Sequence, residues 1–351
     1  MKHRFAILPG DGIGVDVTRE AVKVLQAAAA ADGFNLELKH FDHGAERFLK
    51  TEETLPDAVL EEFKSFDAVF MGALGDPRVP DMRHARDILL GTRFKLDLFM
   101  NLRPIRCFHE RLCPLRNFSA EDIDFVVFRE NTEGAYVGMG GIFKKGTPDE
   151  IAIQEDVNTR KGVERIIRAA FRYAIKHGRG RVTMSDKSNA LRYGHDLWQR
   201  VFAELREEFP SIEANHLYVD ALTMQMIKDP RQFEVIVTCN MFGDIITDLG
   251  AQLQGGLGIA ASGNINPEGT SMFEPVHGSA PKYAGTDRAN PFAAILAGAM
   301  MLEHSGLEES ALRVERAVIE ALEARECTTD VGGKLGTAAT GDAVARRVAG
   351  A

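Results

Sequence analysis

Along this chain, short apolar runs repeatedly stop at a glycine or a polar residue, and a helical pattern takes over. Residues 67–75 (Asp-Ala-Val-Phe-Met-Gly-Ala-Leu-Gly), 123–128 and 233–239 are such runs, and 181–185 reads as a further strand. Apolar stretches of this length, bounded by turn residues, read as buried strands. Helical patterns at 82–96, 160–177, 192–208 and from 240 onward follow or precede them, and helices at 290–304, 308–324 and 337–349 close the chain. Strand–helix alternation predicts an α/β fold of open sheets flanked by helices, with ligands held at strand ends.

The polar residues at those ends are therefore the ones to examine. Strand 5–8 leads into Pro9-Gly-Asp-Gly-Ile-Gly14, and the helix after it runs to Gly33, a C-cap. The spacing is G-x-G-x-G rather than G-x-G-x-x-G, so it predicts a tight turn whose backbone approaches a ligand, not a dinucleotide fingerprint. A strand at 98–100 delivers Asn101-Leu-Arg-Pro104. The 123–128 strand ends in Arg129-Glu-Asn-Thr-Glu-Gly, the 181–185 strand leads into Asp186-Lys-Ser-Asn189, and a strand at 213–219 ends in Asp220. Residues 253–258 and 273–281 read as irregular and polar. Residues 137–157 alternate with period two around glycines and lysines, which predicts a hairpin arm able to pair with a partner chain.

Composition removes several function classes. A length of 351 residues allows two domains with a large core. The net charge of −9 argues against a nucleic-acid partner. No apolar run approaches the roughly 20 residues of a membrane span, and the start, Met1-Lys-His-Arg-Phe-Ala-Ile-Leu, reads as a strand rather than a signal peptide. Cys107, Cys113, Cys239 and Cys327 include no C-x-x-C pair, which fits reduced thiols in a cytoplasmic protein.

Helix 240–249 carries Asp244 and Asp248 four residues apart, on one face and one turn from each other. They are either two unrelated acids on a solvated face or a pair whose repulsion a shared cation removes; oxygen donors of this kind suit Mg²⁺ or Mn²⁺. Arg93, Arg103, Arg129, Asp220, Lys187 and Tyr136 occupy strand ends or neighbouring helices. Gathered in one cleft, these groups would make a dicarboxylate site. Arginine forks bind carboxylates bidentately, a divalent ion chelates a hydroxyl and its neighbouring carboxylate, and a lysine among cations becomes a usable base.

Together, Pro9-Gly-Asp-Gly-Ile-Gly14, Asn101-Leu-Arg-Pro104, Arg129-Glu-Asn-Thr-Glu-Gly, Asp186-Lys-Ser-Asn189, Tyr218-Val-Asp220, Asn240-Met-Phe-Gly-Asp244 and His277-Gly-Ser-Ala-Pro281 resemble the isocitrate and isopropylmalate dehydrogenase family from end to end. The resemblance implies oxidation of a 3-substituted malate followed by loss of CO₂, with NAD, or NADP in place of it, as the acceptor and Mg²⁺ or Mn²⁺ as the metal. It implies Arg93, Arg103 and Arg129 as the carboxylate clamp. It implies Asp244 and Asp248, with Asp220 from a second subunit, as the metal ligands. It implies Lys187, also from the second subunit, as the base and Tyr136 as the acid, and His277, Gly278, Ser279, Ala280, Lys282, Asn290 and Asp330 as parts of the dinucleotide site. It implies a homodimer with composite sites and a discontinuous dinucleotide domain, 1–100 with 255–351. Residues 101–254 form the domain for substrate, metal and dimerisation.

Two features select within the family. Leu89 and Leu90 stand where isocitrate members hold a third carboxylate, and this resembles the isopropylmalate members, whose reaction belongs to leucine biosynthesis. Burying an isopropyl group there is worth roughly 1.5–3 kcal/mol, whereas an unpaired carboxylate would cost several. Arg86 occupies a position at which isopropylmalate members usually carry glutamate, and this leaves tartrate, homoisocitrate and isocitrate open. Lys282-Tyr283 resembles half of an NADP phosphate clamp, while Thr329 and Gly333 stand at the other half; the reading is NAD, with NADP tolerated. A catalytically silent dicarboxylate-binding subunit is the non-enzyme alternative, and the presence of Lys187, Tyr136, Asp220, Asp244 and Asp248 speaks against it.

Overall fold

The computed structural model describes residues 2–350. Two compact units divide the chain. The first contains the residues up to Leu98, Arg106–Glu121 and those from Ala251 onward; the second contains Phe99–Ile105 and Asp122–Gly250. Strand β1 (Lys2–Gly10) opens the first unit, followed by helix α1 (Ile13–Asp32), β2 (Asn35–His40), the short helices α2 (Ala45–Thr51) and α3 (Asp57–Phe63), β3 (Ala68–Ala73) and α4 (Arg83–Lys95). The second unit begins with β4 (Met100–Arg106) and β5 (Asp124–Glu130). It continues through β6 (Gly140–Phe143), β7 (Ile151–Gln154), α5 (Arg160–Lys176), β8 (Arg181–Asp186), α6 (Gly194–Glu208), β9 (Glu213–Tyr218), α7 (Val219–Lys228), β10 (Val235–Thr238) and α8 (Asn240–Leu253). The chain then returns to the first unit with β11 (Ala261–Ile265), β12 (Ser271–Pro275), α9 (Phe292–His304), α10 (Glu308–Glu323) and α11 (Thr337–Val348).

Strand order in the first unit is β2-β1-β3-β12-β11, and in the second β4-β5-β10-β8-β9. The pairs β1–β2, β1–β3 and β3–β12 are parallel, and β11 and β12 run antiparallel. In the second unit β5–β10, β10–β8 and β8–β9 are parallel. Parallel strands covered by helices on both faces need apolar side chains on both, which is why every residue of β3 is buried. The first core gathers Leu8, Phe41, Phe63, Met71, Ile88 and Met272; the second gathers Phe128, Phe171, Met184, Trp198 and Val237. Helix α1 buries Ile13, Val17, Ala21, Val24, Leu25 and Ala28, a stripe at helical spacing, against α9 and α11. Gly33 ends it in the left-handed conformation at φ 72, donating its N–H to Ala29 O.

The structure departs from the sequence reading in specific places. Of the 273–281 stretch expected to be irregular, residues 273–275 belong to β12, and β11 lies between the two stretches where no strand was expected; buried Ser262, Asn264, Ser271 and Glu274 hide the strand pattern. Asn264 Nδ2 donates to Glu274 Oε1 across the β11–β12 pair at 2.8 Å. Asn101-Leu-Arg-Pro104 lies within β4 rather than after it, and Asp220 lies in the first turn of α7 rather than at a strand end. The Gly10–Gly14 turn approaches the chain's own backbone: a Cβ on Gly10 or Gly12 would stand 2.1 Å from Ala73 O or Ser279 O, respectively.

Candidate active site

Helix α8 begins two residues after β10 ends, and β5 lies beside β10 with Arg129 opposite Thr238. That register sets the buried Arg129 side chain on the first turn of α8. Its Nε donates to Asn240 O at 2.9 Å and to Asn240 Oδ1 at 3.0 Å; its Nη2 donates to the same Oδ1 at 2.8 Å. Its Nη1 donates to Asp244 Oδ1 at 2.7 Å. Asn240 is held in turn by Nδ2 donating to Glu133 O at 2.9 Å. From β4, Arg103 donates to Thr247 Oγ1 at 2.5 Å and brings Nη2 to 3.5 Å from Asp244 Oδ1. The Tyr136 hydroxyl donates to Asp244 Oδ2 at 2.9 Å. Two guanidinium groups, a phenol and a carboxylate thus meet on one helix face.

Asp248 sits one turn further along. Burial pushes its carboxyl above the usual carboxylate range, the Asp244 charge adds to that, and Arg103 and Arg129 pull against it without prevailing. A site that resists a second negative charge, and offers only oxygen donors, suits a hard divalent cation. Among the described residues no three His, Cys, Asp or Glu side chains gather into a metal-holding group, so Asp220 does not join Asp244 and Asp248 within one chain.

Lys187 follows β8 directly, and its Nζ donates to Asp220 Oδ1 at 2.6 Å, 5.9 Å from the centre of the Tyr218 ring. The sequence reading placed this lysine among cations; within one protomer its partner is an acid, and the Lys187 hydrogen bond holds the Asp220 carboxyl below its ordinary range. Buried Asp186 anchors the loop. It accepts from Ser188 N–H (3.0 Å), Ser188 Oγ (3.1 Å), His216 Nε2 (2.9 Å) and Gln199 Nε2 (2.7 Å). The Lys187 backbone N–H donates to His195 Nδ1 at 2.9 Å.

In the first unit, α4 carries Leu89, Leu90 and Arg93. Leu89 and Leu90 are both half-buried, and Leu89 packs against the hydrophobic core. Arg93 is buried, with Nη2 donating to Glu274 Oε1 at 2.9 Å and Nε lacking an acceptor among the described residues. Asn290 Nδ2 donates to Asp330 Oδ2 at 2.9 Å, and both crowd Gly258, where a Cβ would stand 2.7 Å from Asp330 Oδ2. His277 Nε2 is buried without a partner among the described residues, Gly278 has open space on its Cβ side, and Ser279 and Ala280 complete the loop. Because Nδ1 donates to Gly278 O at 3.0 Å and burial keeps the ring neutral, Nε2 is an orphaned acceptor, and such an acceptor beside an open backbone loop fits a polar ligand such as a nucleotide. Lys282 and Arg288 lie 4.8 and 5.4 Å from the centre of the Tyr283 ring.

Sequence reasoning quoted Asn240, Gly243 and Asp186 within motifs without giving them a role of their own, and gave none to Thr247, His195, His216 or Glu274. A glycine inside a helix was the available signal for Gly243, since it marks a close approach.

The family model for isocitrate/isopropylmalate dehydrogenase matches residues 4–344. A Thermobifida fusca protein named 3-isopropylmalate dehydrogenase is 49% identical over 348 residues, which is 99% of this chain and 98% of that protein. Its Streptomyces griseus namesake is 47% identical, with 98% of each chain covered. Among solved structures, isocitrate dehydrogenase from Methylococcus capsulatus superposes with a TM-score of 0.90 at 39% identity, covering 99% of both chains. The TT0538 protein from Thermus thermophilus gives 0.88 at 35% identity, covering 99% of this chain and 68% of that one.

Proposed function

The chain belongs to the isocitrate/isopropylmalate dehydrogenase family, and on that footing we propose that it oxidises and decarboxylates 3-isopropylmalate to 2-oxoisocaproate, as in leucine biosynthesis. The observation that carries the substrate choice is Leu90, half-buried on α4 and three residues before buried Arg93. Residues three apart share a helix face. An arginine that takes a carboxylate therefore has an apolar neighbour on its own helix face. The two relatives named for isopropylmalate, at 49% and 47% identity, support this choice over the isocitrate enzyme at 39%.

In this proposal Arg93, Arg103 and Arg129 hold the substrate carboxylates, and Leu89 and Leu90 face its isopropyl group. Asp244 and Asp248, with Asp220 of a second copy, hold Mg²⁺ or Mn²⁺. Held there, the cation would supply Lewis-acid polarisation of the substrate oxygens, and the dinucleotide would supply the hydride acceptor. Lys187 of the second copy takes the hydroxyl proton, and Tyr136 returns a proton to carbon once CO₂ has left. The β6–β7 hairpin supports pairing of two copies: Ile142, Phe143, Ile151 and Ile153 are all more than half exposed, an apolar surface of the kind a partner covers. No helix among the described residues is long and apolar enough to cross a membrane.

For the dinucleotide we propose NAD at His277–Ala280, Asn290 and Asp330, with NADP accepted. Lys282 and Arg288, both set around Tyr283, supply positive charge for an additional phosphate.

The test is dinucleotide reduction with isopropylmalate, isocitrate, tartrate and homoisocitrate, each with Mn²⁺ and with EDTA. Isopropylmalate is expected to exceed isocitrate in kcat/KM by roughly 100-fold or more, because an unpaired buried carboxylate costs several kcal/mol. Higher kcat/KM with another diacid overturns the substrate; binding without turnover of any of them favours a silent dicarboxylate-binding subunit.

A further inference from the structure

Helix α4 carries the residues given substrate roles above. Met82, which precedes it, is left-handed at φ 50 and makes no side-chain cap hydrogen bond, while Asp81 Oδ1 accepts the Arg83 N–H at 3.2 Å. His84 ties that end to the rest of the unit. It is fully buried, its ring stacks on Phe48 with centroids 5.8 Å apart, and its Nε2 lies 2.9 Å from Asp11 Oδ2.

Asp11 is buried as well, and it is a hub. Its Oδ2 also accepts Gly75 N–H at 2.8 Å, and its Oδ1 accepts Ala45 N–H at 2.6 Å. A carboxylate only accepts, so the hydrogen in the third bond belongs to His84 Nε2. The Asp11 backbone N–H donates to Ala73 O at 2.6 Å, and two residues on Ile13 N–H donates to Ser279 O at 2.8 Å. One carboxylate therefore joins the turn after β1, the loop after β3 and the starts of α2 and α4. It stands in the turn that also holds the Ser279 loop.

His84, Ile88 and Thr92, four apart, are the fully buried stripe of α4. The rotation of that stripe fixes where Leu89, Leu90 and Arg93 point. We infer that His84 is a positioning residue: through its hydrogen bond to Asp11 it sets the orientation of α4 and so the preference for the substrate's substituent. The part concerning the substituent rests on the substrate reading above.

His84→Leu removes the donor at similar volume, and His84→Gln keeps an N–H near the Nε2 position. The expected result is a loss of about tenfold in the kcat/KM preference for isopropylmalate over unsubstituted malate in H84L, carried by KM rather than kcat, with H84Q within about twofold of wild type. Amide hydrogen exchange over residues 84–93 should quicken about tenfold in H84L, leave α1 unchanged, and return to normal in H84Q. Should H84L not fold, H84N, whose shorter amide does not reach Asp11, replaces it. A folded H84L with unchanged preference and unchanged exchange overturns the inference, as does an H84Q that behaves like H84L. If the wild type itself shows no preference for isopropylmalate, the substrate reading falls, and the exchange measurement still decides whether His84 orients α4.

Discussion

Arg129 crosses Gly243 so closely that a Cβ on the glycine would stand 2.5 Å from the arginine's Cγ. The missing side chain is what lets a buried guanidinium reach both Asn240 and Asp244. Gly243→Ala should therefore push Arg129 off its partners. Overpacking of this kind costs about 1–3 kcal/mol, and kcat/KM should fall by roughly tenfold or more. Thermal melts and steady-state kinetics check both, and a variant indistinguishable from wild type would show that Arg129 has slack.

Lys187→Met should abolish dinucleotide reduction, because no other group takes the hydroxyl proton, while leaving diacid binding largely intact. Calorimetric titration with substrate and Mn²⁺ separates the two effects. Near-normal turnover removes Lys187 from the mechanism.

Asp248→Asn makes two opposite demands on one substitution. It removes a metal-binding charge, so the Mn²⁺ concentration for half-maximal rate should rise by roughly tenfold or more. It also removes like-charge repulsion along α8, so the metal-free protein should melt at the same temperature or slightly higher, by a few tenths of a kcal/mol at most. A clearly less stable metal-free variant would contradict the assignment of Asp248 as a carboxylate held against its own electrostatics.

Asp186 makes a prediction about acid. Burial alone would raise its pKa, but the donors on His216, Ser188 and Gln199 hold it below the usual carboxylate range. A depressed folded value contributes stability above the ordinary pKa, lost as pH falls through the depressed one. Asp186→Asn should melt lower than wild type at pH 7, by about 1–3 kcal/mol for donors left short of a charged acceptor. The gap should close as pH drops below about 4. A gap independent of pH would mean that the carboxylate charge does not matter there.

Lys282→Asp should sharpen the preference for NAD. It replaces a cation 4.8 Å from the Tyr283 ring centre with an acid that repels a phosphate, while Arg288 remains. The ratio of kcat/KM for NADP to that for NAD should drop by roughly tenfold or more; an unchanged ratio would falsify a phosphate role for this cluster.

How much of this was legible beforehand depended on the range of the interactions. Helix α1, its stripe and its Gly33 cap follow from local spacing, as do α5 and the three closing helices. Strands β11 and β12 did not, because their buried faces carry serine, asparagine and glutamate, and Asn264 meets its partner Glu274 only once the strands pair. In the candidate site, Asp244 and Asp248 could be read from a spacing of four. The parts of Asn240 and Thr247 could not: their partners Arg129 and Arg103 lie 111 and 144 residues away in sequence. Leu89 and Leu90 looked alike as a pair and are alike half-buried; that Leu89 packs against the core is a fact of the fold that local spacing does not carry.

The covering of α1 by α9 and α11 has a consequence for synthesis. Leu25 rests beside Gly298, where a Cβ would come within 3.4 Å of it, so an early helix waits for the tail of the chain. At roughly 5–20 residues per second that wait lasts on the order of tens of seconds, and the uninterrupted stretch 122–250 has emerged well before it ends. A growing polypeptide halted before Phe292 would present the stripe from Val17 to Ala28 bare, a target for chaperones rather than half of a finished domain.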